Sequence, residues 1–483
     1  MGSESRPGHG QSGSTHVPTE GAVIDSQVTD PGGGSTPDID PAVLRRAVAA
    51  SALGNATEWF DYGVFAYVAV EIGNNFFPGP YSTLGSLLVF AVSFVLRPLG
   101  GIVWGPLGDR LGRSTILATT ILLMCVATFL VGVIPNYASI GIWAPILLIL
   151  LRVVQGFSTG GEYGGAATFM AEYSPDRKRG FWGSFLEFGT LAGFTAAVVV
   201  VYTVNAIVGD QAMGEWGWRI PFLLSLPLGG IGLYLRLKME DTPVFRDLEE
   251  SGESEQGAVL ALKSLLVDYW KPVLQLFGLV IALNVVNYTL LAYMPTYLQK
   301  TIGMSSKNTD LLVIVGQVAM MVALPFAGSL SDRIGRKPCW WISLAGLFVL
   351  AIPMFMLMAK GLAWAIVGFA VLGLVYTLQL GTISATFPAM FPTQVRYSGM
   401  AISYNVATAA FGGTALAANE ALIKVTGNNL IPAMYMMGSC VIGMIALYFV
   451  IETKGASLEG RGVPGVISRP SGRRPGGVRP KPA

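Results

Sequence analysis

Long apolar stretches alternate with short polar turns along most of this chain, and the stretches have the length of membrane-crossing helices. A helix rises about 1.5 Å per residue, so roughly 20 mainly apolar residues cross the hydrocarbon core of a bilayer. The runs Thr115 to Ile134, Cys339 to Met358 and Leu430 to Ile451 contain no charged residue at all. Other runs keep the length while admitting one or two charges. On this pattern the expected spans are 46–70, 83–107, 115–134, 144–170, 180–207, 219–236, 272–298, 309–330, 339–358, 361–388, 398–423 and 430–451. The prediction is an all-α integral membrane protein with twelve transmembrane helices.

Composition agrees. Of 483 residues, 52% are hydrophobic and 12% charged, whereas a soluble domain carries about 25% charged residues. The net charge of +2 gives no reason to expect nucleic acid as a partner. The distribution of the basic residues says more. With both termini cytoplasmic, the short inner loops hold Arg110, Arg113, Arg177, Lys178, Arg179, Arg333, Arg336, Lys337 and Arg396, against Arg219, Lys300, Lys307, Lys360 and Lys424 outside. That bias follows the positive-inside rule.

The segments divide accordingly. Residues 1–44 form a polar Gly/Ser/Pro-rich tail, 45–236 a first six-helix half, 237–270 a charged central loop, 271–452 a second six-helix half and 453–483 a basic Gly/Pro-rich tail. Both tails are expected to be disordered, because neither can bury a core.

The two halves share a repeat. After the second span the chain carries Gly105, Asp109, Arg110, Gly112 and Arg113; after the eighth, Gly328, Asp332, Arg333, Gly335 and Arg336 stand at a constant offset of 223 residues. Glycine permits a tight turn between two helix ends. An Asp there can pair with an Arg or lie at a helix N-terminus, forming a contact that opens and closes between halves. The loops after spans four and ten also echo one another, Arg177 and Gly180 aligning with Arg396 and Gly399. Parallel six-helix repeats suit a transporter with its site between the halves, near the midplane.

This duplicated Gly-x-Leu-x-Asp-Arg-x-Gly-Arg loop resembles the signature of the major facilitator superfamily, as do Arg152-Val-Val-Gln155-Gly156 and Glu452-Thr-Lys-Gly455. More narrowly, the chain resembles the metabolite:proton symporter branch, and within it the bacterial proline/betaine transporters. The runs that carry this likeness include Gly54 to Asp61, Gln155 to Tyr163, Ala171 to Gly180, Trp216 to Pro221 and Pro388 to Thr393. The resemblance implies the major facilitator fold and proton-coupled import of a small zwitterionic osmolyte, such as proline or glycine betaine, by alternating access. It implies a multi-pass protein of a bacterial plasma membrane. Related symporters of carboxylic acids (2-oxoglutarate, citrate or shikimate) share several of these runs and are the alternative. The long coiled-coil tail of the best-known osmosensing member has no counterpart here.

Charges within spans are costly and mark functional candidates. The first span has Glu58 and Asp61, three apart and so on one helical face, with Asn55 three residues earlier. The second has Arg97, and the fourth has Arg152 and Glu162. Both histidines, His9 and His16, lie in the N-terminal tail, so proton chemistry within the spans falls to carboxylates. A carboxyl in a low-dielectric cavity favours its neutral form, and Glu58 with Asp61 are the first candidates for coupling. A structural ion pair with Arg97 or Arg152 is the competing reading. Arg152, Gln155, Thr159 and Glu162 fall on one stripe of the fourth helix and are expected to line the central cavity. Glu187 in span five is either a site residue or a packing group.

Aromatic residues crowd the same segments: Trp59, Tyr62 and Phe65 in span one, Phe157 and Tyr163 in span four, Tyr288 and Tyr293 in span seven. Such faces hold quaternary ammonium ligands by cation–π attraction. The glycines beside Glu162 are no phosphate loop, because no Gly-Lys-Ser/Thr follows, and small residues of this kind pack helices closely. Cys125, Cys339 and Cys440 have neither disulfide nor metal spacing. No cofactor is implied. An enzyme or a channel fits the repeat less well than a carrier, and a monomer is expected to suffice.

Overall fold

Every described stretch of secondary structure in the computed structural model is helical. It describes residues 41–111, 113–160, 162–227, 229–230 and 267–458. The expectations for the tails, for most of the central loop and for Gly112 lie outside the described residues, as do those for the side chains of Gly105, Asp109, Arg110, Arg113 and Glu162.

The chain starts with α1 (Pro41–Tyr67), extended by the short helix Ala69–Phe76. There follow α2 (Ser82–Trp104), α3 (Arg113–Val133), α4 (Trp143–Tyr173), α5 (Asp176–Gly217) and α6, which opens with Arg219–Leu223. The second half holds α7 (Trp270–Lys300), α8 (Ser306–Ile334), α9 (Arg336–Met358) and α10 (Leu362–Thr386). It ends with α11, built from Thr393–Phe411 and Thr414–Thr426, and α12 (Ile431–Phe449). Among the described residues, nine helices are long and apolar enough to cross a membrane. The other three fall short for visible reasons. The first carries Arg45, Arg46, Glu58 and Asp61, the third is described as apolar only over Thr119–Val133, and the sixth runs out of described residues.

Twelve crossings return the chain to the side on which it began, here termed the near face. Local signals set several helix ends. Asn136 accepts a hydrogen bond from the Ser139 amide at 3.2 Å ahead of α4, and Ser305 caps the start of α8. Such side-chain oxygens satisfy amides that a first helical turn leaves unpaired. Gly427, at φ 66°, closes α11 in the left-handed conformation.

The halves meet along two seams, α5 against α8 and α2 against α11. These pairs exchange under the six-helix repeat, as a pseudo-two-fold requires. Small residues make the seams close. A methyl group on Gly328 would overlap the Gly180 carbonyl, and one on Gly413 would enter the Phe94 ring. Away from the seams, Val322, Phe326, Val349, Ile445 and Tyr448 stand exposed, an apolar exterior suited to lipid rather than water.

Candidate functional site

Site geometry begins with α2 and α4. Methyl groups on Gly156 and Gly160 would collide with the backbone of Ser93 and Arg97, so glycine lets these two helices touch backbone to backbone. That contact holds two buried arginines near the charged face of α1. Arg97 forms an ion pair with Glu58 and donates to the Tyr62 hydroxyl at 3.3 Å. Its guanidinium lies 4.9 Å from the Tyr62 ring centre and 5.0 Å from that of Phe94. Three neighbours therefore share one charge, which is how a buried cation offsets its lost hydration.

Asp61 has a different arrangement. Thr128 donates to its Oδ1 at 2.6 Å and Gln155 at 3.1 Å, while Gln155 also reaches Thr128 at 2.7 Å. Arg152 stands 3.6 Å from Oδ2, and none of its three buried guanidinium nitrogens makes a hydrogen bond. Instead it lies 3.7 Å from the centre of the Phe65 ring. The pair is loose where Glu58–Arg97 is tight. Each arginine thus takes its own carboxylate, which settles the pairing that the sequence left open.

The α4 stripe is only partly continuous. Arg152 and Gln155 face Asp61, and Thr159 lies 3.1 Å from the Tyr62 hydroxyl, but the regular helix turns off after Ser158, at Thr159 and Gly160. Asn55 acts between helices: it donates to the Leu186 carbonyl at 2.8 Å and to Thr190 at 2.7 Å, and accepts from Trp59 at 3.1 Å.

A small cavity lies between the halves, with room for about one water molecule. From the first half it is lined by Trp59, Tyr163, Glu187 and Thr190. From the second come Asn284, Asn287, Tyr376 and Tyr404, with Leu283, Leu380 and Ile383 between them. Tyr163 stacks on Tyr404 across the seam at 4.4 Å and 17°. It also donates its hydroxyl to Glu187. Tyr376 donates to Asn287 Oδ1 at 3.0 Å, and Asn284 donates to Thr408 at 3.0 Å. Directly after Asn287 the helix widens into a π-turn, Tyr288–Tyr293, an irregularity frequent at functional sites.

Of the seven aromatic candidates, Trp59 and Tyr163 line this cavity. Tyr62 and Phe65 face the arginines, and Tyr288 packs between Trp59 at 6.2 Å and Phe94 at 5.1 Å. The other two lie elsewhere. Phe157 packs on Trp104 at 5.3 Å, and Tyr293 donates to Glu420 at 3.0 Å. The sequence does not single out Tyr376, Tyr404, Asn284 and Asn287. They are uncharged residues within apolar runs, and nothing in the linear pattern separates them from packing residues.

Contacts between the halves lie toward both ends of the seam. Toward the far face Tyr67 donates to the Leu291 carbonyl at 3.1 Å and accepts from Gln317 at 2.7 Å. At the near face Asp332 accepts from the Gly180 amide at 2.8 Å and the Phe181 amide at 2.9 Å, and pairs with Arg336 at 2.8 Å. A carboxylate of one half therefore sits on the N-terminal turn of a helix of the other, where the helix dipole favours negative charge. Gly335, at φ 110°, turns the chain next to Glu452, whose carboxylate accepts from the Arg336 and Lys337 amides, each at 2.9 Å. Arg333 is exposed there, and its carbonyl accepts from Lys454 at 2.5 Å.

A symmetric twelve-helix bundle with a midplane cavity between its halves is the architecture of a secondary transporter. The chain matches the Major Facilitator Superfamily over residues 51–418 and belongs to it. It is 45% identical over 434 residues to the proline/betaine transporter of Escherichia coli (strain K12), covering 87% of this chain and 86% of that protein. It is similarly 45% identical over 432 residues to the glycine betaine/proline/ectoine/pipecolic acid transporter OusA of Dickeya dadantii, again over 87% of this chain and 86% of the relative. With the ectoine/proline transporter ProP of Corynebacterium glutamicum it shares 39% identity over 437 residues, 87% of each chain. A partially occluded inward-open structure of the xylose transporter XylE from E. coli shares the fold, with a TM-score of 0.68 at 19% identity, over 86% of this chain and 100% of the other. These relatives are transporters, and the protein is a multi-pass membrane carrier rather than an enzyme.

Proposed function

We propose that this protein imports a small zwitterionic osmolyte of the proline or glycine betaine kind together with protons, by alternating access of one cavity to the two faces. The observation that carries the reading is the cavity itself, which lies on the seam, is lined by aromatic rings of both halves and one carboxylate, and has contacts between the halves on either side of it. The curated relatives named for proline and betaine support the substrate class. The alternative, a carboxylic acid symporter, needs a basic group free to hold the second carboxylate. Arg97 and Arg152 each already face a carboxylate of α1, which disfavours it.

The rest follows from that reading. Asn55, Glu58, Asp61, Arg97, Arg152, Gln155, Thr159 and Glu162 form the coupling region. Glu58 and Asp61 are the residues that exchange the proton, and the Asp-Arg loops, Asp109 and Asp332 foremost, act on interconversion of states. Residues 45–236 and 271–452 are the moving halves, joined by the loop 237–270. The near face is cytoplasmic, as the excess of basic residues there requires, so both termini are inside a bacterial plasma membrane. The monomer is the working unit, with no nucleic-acid partner. Purified protein in proteoliposomes, given an inward pH gradient, will accumulate labelled proline and glycine betaine, and excess 2-oxoglutarate will compete poorly. Uptake of 2-oxoglutarate in preference to either zwitterion would install the alternative.

A further inference from the structure

Three carboxylates of the first half are buried near the midplane, and they differ in what neutralises them. Glu58 faces Arg97 and Asp61 faces Arg152. Glu187, 2% exposed, lines the seam cavity and accepts the Tyr163 hydroxyl. Among the described residues no lysine or arginine forms an ion pair with it. An uncompensated charge in a low-dielectric interior is costly, and such groups are retained where a ligand or a proton completes them. The rings of Trp59, Tyr163, Tyr376 and Tyr404 line the same cavity.

We propose that Glu187 and these four rings form the subsite for the ammonium end of the substrate, and that its carboxylate end is held by the amide of Asn287. This rests on the osmolyte reading above and assigns its two ends. A quaternary ammonium has no N–H to donate, so hydrogen-bonding groups cannot select it. Aromatic faces with one carboxylate can, through cation–π attraction and direct charge pairing. Tyr163 joins the two elements, because it stacks on Tyr404 at 4.4 Å and donates to Glu187. On the other wall Tyr376 occupies Asn287 Oδ1 at 3.0 Å, which leaves the Asn287 NH2 as a donor for an anionic oxygen. A secondary ammonium such as that of proline fits the same subsite, with added hydrogen bonds to Glu187.

The test uses a pair of probes that differ by one atom. Glycine betaine and 3,3-dimethylbutyrate have the same shape and the same carboxylate, but the second has carbon where the first has the charged nitrogen. Competition against labelled betaine, in counterflow without a pH gradient, reads binding free of coupling. In the unaltered protein betaine should compete about tenfold or more better than its isostere, the range expected for a desolvated cation–π and charge contact. Glu187→Gln should remove most of that preference and raise the betaine KM about tenfold, and Glu187→Asp should fall between. An unchanged preference in Glu187→Gln would overturn the assignment. So would a variant that keeps betaine affinity and counterflow but loses only uphill accumulation, because Glu187 would then be a proton site. Should Glu187→Gln not fold, the unaltered protein still decides, since equal competition by the two probes sinks the proposal. Failure of the osmolyte reading looks different: the unaltered protein then exchanges neither betaine nor proline.

Discussion

The two halves of this transporter meet the central cavity with different chemistry. The first half lines it with Glu187 and buries Glu58, Asp61, Arg97 and Arg152 outside that lining, all five at most 2% exposed. The second brings Asn284, Asn287, Tyr376 and Tyr404, which are polar but carry no charge at neutral pH. A fold with an internal repeat has thus kept symmetry at its near-face loops and lost it at the site. Charge suits a half that takes up and releases a proton, because a titrating group must change its interactions when it changes state. Neutral donors and rings suit a half that recognises shape while the proton moves elsewhere.

The largest expected effects lie in the charged half. An imposed gradient of one pH unit is worth about 1.4 kcal/mol, or tenfold accumulation for each coupled proton. Asp61→Asn keeps the shape and the Thr128 and Gln155 neighbours while removing the titratable group. It should reduce accumulation driven by a pH gradient to the passive ratio and leave counterflow running, with less folded protein because Arg152 loses its counter-charge. Glu58→Gln should lose accumulation as well. It should also lower the yield of folded protein, since it leaves Arg97 without its counter-charge, a defect of about 3–5 kcal/mol in buried pairs. Normal uphill uptake in both variants would place the proton elsewhere and transfer the question to Glu162.

In the neutral half the expected effect is smaller and of another kind. Asn287→Ala removes a donor and the acceptor of the Tyr376 hydroxyl but no charge. We expect KM for proline and betaine to rise by roughly tenfold, the worth of one buried hydrogen bond, with accumulation per proton unchanged. Loss of coupling in this variant would erase the distinction between the halves.

How much of this could be read from the chain differs from feature to feature. The bundle was legible because a lipid solvent demands about 20 apolar residues per crossing. Glu58, Asp61, Arg97 and Arg152 stood out because charge within a span is costly. Their pairing was not legible, since it depends on how α1, α2 and α4 are rotated, and the Gly156 and Gly160 contacts fix that rotation. The α4 stripe presupposes an unbroken helix, whereas the helix turns off at Thr159 and Gly160. In the second repeat the identities lie two residues away from the geometric match. Identities aligned Arg177 with Arg396, but Arg179 is the geometric match: its Nε donates to the Ala171 carbonyl at 3.0 Å, and that of Arg396 to the Pro388 carbonyl at 3.1 Å, each eight residues back. A few matched residues cannot fix a phase that hydrogen bonding settles at once.

The near-face loops, where symmetry survives, should govern rate rather than affinity. Asp332→Asn leaves an acceptor for only one of the Gly180 and Phe181 amides, which bind different carboxylate oxygens, and removes the charge that meets the helix dipole and Arg336. A dipole contact of this kind contributes about 0.3–1 kcal/mol and a charge-assisted bond somewhat more. Maximal transport should therefore change by several-fold with KM within a factor of two. A KM that moves as much as the rate would assign Asp332 to binding and blur the contrast between loop and site.

The smallest effect is expected where the chain leaves the bundle, and it depends on where the cut falls. Arg179 of the first half donates to the Ala456 carbonyl at 2.9 Å, and Arg396 of the second to the Leu458 carbonyl at 2.8 Å. Arg396 also pairs with Glu172 of the first half at 2.8 Å. Leu458 itself packs between Ala171 and Ala389, one from each half. Residues through Leu458 thus cross the near-face seam and join both sides of it. Removing 461–483 deletes only chain beyond this contact, so uptake and accumulation should match the full protein. Removing everything after Thr453 strips each arginine of its tail carbonyl, Ala456 for Arg179 and Leu458 for Arg396, while leaving Glu452 at Gly335. Both guanidiniums are buried, and an unmet buried donor costs about 1–3 kcal/mol, so the seam should open more readily toward the near face. Limited proteolysis or labelling of a cysteine placed on that seam would report the change as faster modification in the longer truncation only. Equal labelling in the two truncations would mean that the segment rests on the seam without holding it closed.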